Sequence, residues 1–154
     1  MIFIEKEDIA KLIINYKKNG LSIVFTNGCF DLLHAGHLDL LKKASEFGDK
    51  LIVGINSDAS VKKLKGSGRP IDSESIRANK LLDKDFVDDV VIFNELTPKN
   101  LIAKIIPDVL VKGGDYKKED IVGYKHVINN GGVVRIVPLV PGFSTTLIIN
   151  KSNR

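Results

Sequence analysis

Residues 21–37 read Leu21-Ser22-Ile23-Val24-Phe25-Thr26-Asn27-Gly28-Cys29-Phe30-Asp31-Leu32-Leu33-His34-Ala35-Gly36-His37. A short β-rich run gives way to a glycine-bearing turn, and the turn opens a helix. Glycine lets backbone N–H groups approach a ligand closely, and the helix that follows offers its positive end to a phosphate. His34 and His37 are three apart at that helix start, so both imidazoles point the same way. Two imidazoles facing a phosphate could donate hydrogen bonds to charge that grows in a transition state. One histidine could instead cap the turn while the other packs in the core. Two of the chain's three histidines in one four-residue window favour the phosphate role. The segment lacks the Gly-Lys-Ser/Thr of a P-loop and the G-x-G-x-x-G of a dinucleotide site.

Outward from this turn, two periodicities alternate. Residues 5–18 carry Ile9, Leu12, Ile13 and Tyr16 at helical spacing and stop at Asn19-Gly20. Leu38 to Phe47 is helical, 51–55 strand, 73–82 helix and 87–93 strand. Pro98 to Ile106 reads as helix with Thr97 as its cap, 108–112 as strand, 119–130 as helix, and 133–137 as strand. A last helix is expected near Ser144. Five nearly continuous apolar strands separated by helices predict a doubly wound, Rossmann-like α/β domain with a five-stranded parallel sheet. The 154 residues suit one domain, 1–154, with residues 1–20 as an N-terminal helical extension.

A 44% hydrophobic and 27% charged chain has the makings of a folded core. Tryptophan is absent and aromatics are 6%, which disfavours a stacking platform for single-stranded nucleic acid. Cys29, alone, can form no internal disulfide, no signal peptide opens the chain, and no apolar run would span a membrane. A cytoplasmic protein with no nucleic-acid or membrane partner is expected.

Ligands of such folds sit beyond the C-terminal ends of the strands. After the second strand come Asn56 and Asp58, then Lys62, Lys63, Lys65 and Arg69 in an acid-free, glycine-bearing stretch that reads as a loop. Most charge runs are solvated surface. This one lies at a strand exit, and its charge equals the whole net surplus of +4, which suggests a polyphosphate clamp. Arg77, on the next helix, is as suited to the surface as to helix packing. After the fourth strand, Lys112 could hold a phosphate, Gly113 allows close approach, and Asp115 could accept from a sugar hydroxyl. After the fifth, Gly142, Phe143, Ser144 and Thr145 lead into the final helix, where Ser144 can cap and bind phosphate at once. No Ser-His-Asp triad, paired carboxylates or acidic metal cage is visible, so no metal ligands are assigned.

The combination Gly-Cys-Phe-Asp-Leu-Leu-His-Ala-Gly-His with Gly-Phe-Ser-Thr-Thr resembles the HxGH nucleotidyltransferase superfamily. The match is closest to the heptose 1-phosphate adenylyltransferase (ADP-heptose synthase) domain, through Asn56-Ser57-Asp58, Gly68-Arg69-Pro70, Thr97-Pro98 and Val111-Lys112-Gly113-Gly114-Asp115-Tyr116. The resemblance implies a reaction: D-glycero-β-D-manno-heptose 1-phosphate and ATP, with Mg²⁺, give ADP-heptose and pyrophosphate for lipopolysaccharide core synthesis. It implies catalytic roles for His34, His37 and Lys65, the last preferred over Lys62 and Lys63. It places the nucleotide against Asn27, Gly28, Cys29, Phe30, Gly36, Asn56, Asp58, Gly113, Asp115 and Gly142 to Thr145, and substrate phosphate against Lys62, Arg69 and Lys112. It also implies a homodimer with a small-molecule sugar phosphate as partner. Two departures are visible: Leu147-Ile148-Ile149-Asn150 stands where some members carry an arginine, and the length leaves no room for the sugar kinase fused to many relatives. The alternatives are a cytidylyltransferase acting on glycerol 3-phosphate or a similar alcohol phosphate, and a non-catalytic nucleotide-binding module.

Overall fold

The structure is a computed structural model, and residues 8–139 of it are described. Five parallel strands, β1 (Ile23–Gly28), β2 (Lys50–Asn56), β3 (Asp89–Phe93), β4 (Val109–Gly113) and β5 (Val133–Val137), form one sheet in the order β3-β2-β1-β4-β5. The α/β expectation holds. The order reverses direction at β1, whose neighbours are β2 and β4, so the crevice of a doubly wound sheet falls at the exits of β1 and β4.

Helices α1 (Ile9–Lys18), α2 (Ala35–Ser45), α3 (Asp58–Lys65), α4 (Glu74–Leu82), α5 (Lys99–Ile105) and α6 (Tyr124–Asn129) join the strands. Each face of the sheet has its own core. Leu40, Leu41, Ala44, Ala78 and Leu81 of α2 and α4 pack on Val24, Leu51, Val53 and Val111. Ile9, Ile13, Leu101, Ile102, Ile105 and Val127 of α1, α5 and α6 pack on Ile23, Phe25, Ile52 and Leu110. Burying one such side chain contributes about 1.5–3 kcal/mol. Residues 9–18, set apart in the sequence as an extension, thus supply part of one core.

The start of the sheet is sealed by aspartates. Carboxylates of Asp49, Asp108 and Asp88 accept from the amides of Ser22, Ile23 and Leu51 at 2.8, 2.7 and 2.8 Å. At the other end the β1–β4 ladder holds only from Val24↔Val109 to Thr26↔Val111. The buried Thr26 hydroxyl closes it by donating to the Val111 carbonyl at 2.9 Å.

Several element boundaries differ from expectation. Residues 58–65, expected as loop, are helix α3, with the Ser57 hydroxyl accepting from the Ser60 amide. Thr97 does not cap α5: Pro98 holds the N-cap position, with no side-chain cap. The expected helix 119–130 is a 3₁₀ turn, Lys118–Asp120, followed by α6. Gly123 parts them at φ +90°, where a Cβ would lie 2.8 Å from Ile102 Cδ1. Strand β3 starts at Asp89 rather than Val87. The helix expected near Ser144 lies outside the described residues.

Candidate active site

Helix α2 begins with a reciprocal cap made by the two histidines. His34 is the N-cap, and its Nδ1 accepts from the amides of Gly36 (3.1 Å) and His37 (3.4 Å). His37 Nδ1 in turn accepts from the His34 amide at 3.3 Å. A neutral imidazole that accepts at Nδ1 carries its proton on Nε2, so each ring is a donor at Nε2. The rings stack with centroids 3.7 Å apart, and Phe30 meets His37 edge-on at 5.3 Å. Burial, then the neighbouring His34 and Lys65, lowers the His37 pKa from 6.5 to about 4. Burial also lowers that of His34. Both rings are therefore neutral donors near pH 7. The capping role is made through Nδ1 of both rings and does not exclude the phosphate role expected from the sequence.

The turn before α2 holds a strained backbone. Phe30 and Leu32 both have φ +50°, and Asp31 between them is 1% exposed. The Asp31 carboxylate accepts from Arg69 Nε (3.0 Å) and from the amides of Ile71 and Asp72 (both 2.8 Å). Burial pushes its pKa up, but those two amides and the Arg69 guanidinium outweigh burial and hold it below the usual carboxylate value. Burial pushes the Cys29 thiol up against the pull of Lys65, Arg77 and Arg69, which makes it a poor nucleophile.

Two recesses open at the strand exits. One, of about 170 Å³, is lined by Asn27, Gly28, Cys29, Phe30, His37, Leu40, Lys65, Lys112 and Gly113. The other, of about 330 Å³, shares Asn27, Gly28, Cys29 and Lys112 and adds Asn56, Leu64, Leu96, Thr97, Pro98, Tyr116 and the 120–122 segment. A recess of about 440 Å³ between α5 and α6 lies off this edge and holds none of the exit residues of β1, β2 or β4.

The site residues expected from sequence separate into three groups. His37, Lys65, Lys112, Gly113, Asn56 and Asn27 to Phe30 line the recesses. His34, Gly36, Asp58, Lys62, Arg69 and Asp115 line neither. Gly36 gives its amide to His34, Asp58 pairs with Arg77 Nη2 at 2.9 Å, and Arg69 pairs with Asp31. Asn56 lines the larger recess while its side-chain amide donates to the Ser60 hydroxyl and its Oδ1 accepts from the Cys29 thiol. Gly142, Phe143, Ser144 and Thr145 lie outside the described residues. The polyphosphate clamp is not a loop, since Lys62, Lys63 and Lys65 ride on α3, and of the three only Lys65 reaches a recess.

Sequence reasoning undervalued Arg77. Its residue exposure is 1%, and its guanidinium donates to the carbonyls of Cys29 (2.8 Å), Asn56 (2.7 Å) and Asp72 (3.0 Å). The signal was its place four residues before Leu81, on the apolar stripe of α4. Asp31 and Tyr116 were quoted as motif residues without a role of their own.

A family model described as cytidylyltransferase-like matches residues 25–151. The chain is 51% identical over 150 residues to the bifunctional protein HldE of Koribacter versatilis, covering 97% of this chain and 31% of that protein. It is 54% identical over 143 residues to the bifunctional protein HldE of Geotalea uraniireducens, covering 93% and 29%. The chain thus spans about a third of the length of these relatives. Among solved structures, a lipopolysaccharide core biosynthesis protein from Thermoplasma volcanium superposes with a TM-score of 0.64 at 26% identity, over 79% of this chain and 98% of that one.

Proposed function

The chain belongs to the cytidylyltransferase-like family, and from that premise we propose that it is a nucleotidyltransferase moving AMP from ATP to D-glycero-β-D-manno-heptose 1-phosphate. The products are ADP-heptose, a lipopolysaccharide core precursor, and pyrophosphate. The observation that carries the reading is the pair of neutral, Nε2-protonated histidines at the start of α2, beside the Gly28 turn and Lys65. The relatives called HldE and the neighbour described as a lipopolysaccharide core biosynthesis protein support the choice of acceptor.

A phosphate oxygen of the sugar phosphate attacks the α-phosphorus of ATP in line. The new P–O bond forms as the bond to the β-phosphate oxygen breaks, and that electron pair leaves with pyrophosphate. A phosphate monoester is already a nucleophile near neutral pH, so no general base is needed. The protein supplies position and charge stabilisation. His37 and Lys65 both line the smaller recess, and in the proposed reaction His37 donates there from Nε2 while Lys65 adds a positive charge. His34 holds the helix start and backs the His37 ring.

Mg²⁺ enters as the ion of the magnesium–ATP substrate and neutralises phosphate charge there. Among the described residues no three His, Cys, Asp or Glu side chains gather to hold an ion, and Asp31 and Asp58 are engaged by Arg69 and Arg77. The resemblance supports a homodimer, and one domain serving this reaction in the cytoplasm. No helix among the described residues is long and apolar enough to cross a membrane.

Pyrophosphate release, measured with ATP or CTP against heptose 1-phosphates and glycerol 3-phosphate, tests the reading. Turnover with ATP and heptose 1-phosphate is expected, and His37→Ala should lower it about 10²–10³-fold. CTP accepted with ATP rejected overturns the choice of nucleotide.

A further inference from the structure

Joining two phosphates requires a place where two substrates meet. The two recesses at the strand exits touch along one ridge, formed by Asn27, Gly28, Cys29 and Lys112. Among the described residues Lys112 is the one cationic side chain that lines both, whereas Lys65 lines only the smaller. Its ammonium sits 5.3 Å from the centroid of the Tyr116 ring, within cation–π range. Gly114 makes that arrangement possible: it has φ +122°, and a Cβ there would lie 2.8 Å from Tyr116 Cε2. A ring steadies a cation without cancelling its charge, as a carboxylate would.

We propose that Lys112 is a catalytic residue of the transfer, its ammonium held by the Tyr116 ring at the junction of the two recesses. The inference rests on the transfer reaction given above and goes beyond a simple hold on substrate phosphate. In an in-line displacement, charge shifts across the α-phosphoryl group, from the attacking oxygen to the leaving one. A group at the junction can donate to the incoming phosphate and to the α-phosphate together, and an ammonium has three donors for the task. Lys112 supplies hydrogen bonds and charge and takes no part in proton transfer. Tyr116 is a positioning residue that acts through Lys112.

The test is a double-mutant cycle on the full chain, with kcat and KM for each substrate read by pyrophosphate release. Lys112→Met keeps the length of the side chain and removes its charge. It should lower kcat about 10²–10³-fold with a smaller change in KM for ATP. Tyr116→Leu should lower kcat about 2–5-fold, and Tyr116→Phe, which keeps the ring, should restore it. With Met at position 112, Tyr116→Leu should have no further effect. A kcat within two-fold of wild type for Lys112→Met overturns the catalytic role. Additive effects, or an equal loss for Phe and Leu at 116, overturn the positioning role. Wild-type turnover with a different phosphate acceptor removes the heptose reading, and the same cycle on that acceptor then decides Lys112. A wild type that turns over no pair overturns both.

Discussion

Arg77 Nη1 donates to the main-chain carbonyl of Cys29 at 2.8 Å, a contact between residues 48 apart in sequence. The same nitrogen reaches the Asn56 carbonyl at 2.7 Å, so one guanidinium fastens the exits of β1 and β2. Arg77 Nε takes the Asp72 carbonyl, while the Asp72 amide donates to Asp31. A closed circuit of hydrogen bonds therefore surrounds the start of the histidine turn. Arg77→Met would leave the carbonyls of Cys29, Asn56 and Asp72 without this donor, and a loss of about 1–3 kcal/mol in urea unfolding is expected for each one left buried and unpaired. Arg77→Lys keeps the charge and loses the fork. It should retain a folded protein whose kcat falls more than its KM for ATP; an unchanged kcat would remove the link between this circuit and the chemistry.

His34 invites a separation of capping from chemistry. His34→Ala should cost about 1 kcal/mol through the lost cap. Asn is a good N-cap and should recover most of that in a thermal melt. It cannot restore the stacked ring behind His37, so the rate of His34→Asn should stay low. Full recovery of rate would make His34 a cap and nothing more.

Burial takes the His37 pKa from 6.5 to about 4 in the folded chain. As pH falls, the unfolded chain binds this proton first, so the stability that neutral His37 contributes is complete above pH 6.5 and is lost as pH drops through about 4. Activity should show no His37 inflection near 6.5. Any limb near pH 6 belongs to the second ionisation of the phosphate substrate, by analogy with phosphorylated side chains. An NMR titration of the imidazole checks this directly, and a value at or above 6.5 would contradict it.

Arg69, expected on a substrate phosphate, holds Asp31 through Nε at 3.0 Å. Asp31→Asn should therefore cost about 3 kcal/mol, because it strands a mostly buried guanidinium. Arg69→Met should lower stability more than it raises KM for the sugar phosphate. The opposite balance, read from kinetics and melts of the same preparation, would favour the phosphate assignment.

The strands were legible because continuous Val and Ile runs such as Leu51 to Ile55 have few alternatives to a sheet covered on both faces. The histidine turn was legible because its glycines and imidazoles fall at a strand-to-helix junction. Helix α3 was not, since Val61 and Leu64 are its only large apolar residues among lysines. It forms through tertiary support, with Ser57 capping and Ser60 donating to the Glu95 carbonyl. The break at Gly123 depends on Ile102, a neighbour that no local pattern reveals. The same holds for the partners of Arg77 and Asp31, which sit 19 to 48 and 38 to 41 residues away for all contacts except Arg77 to Asp72, only five apart.

The short β1–β4 ladder gives the molecule an edge in the middle of its sheet. Past Thr26 and Val111, closed off by the Thr26 hydroxyl, the two strands run on to Gly28 and Gly113 without pairing to each other. Peptide groups along that gap stand where a neighbouring strand would normally meet them, and the nucleotide of the proposed reaction is expected to take the place of the strand. Amide hydrogen exchange should therefore be slow in the ladder regardless of ligand and depend on nucleotide only beyond it. An inner edge is also protected from the pairing with other chains that endangers an outer one, so the fold can keep it open without inviting aggregation.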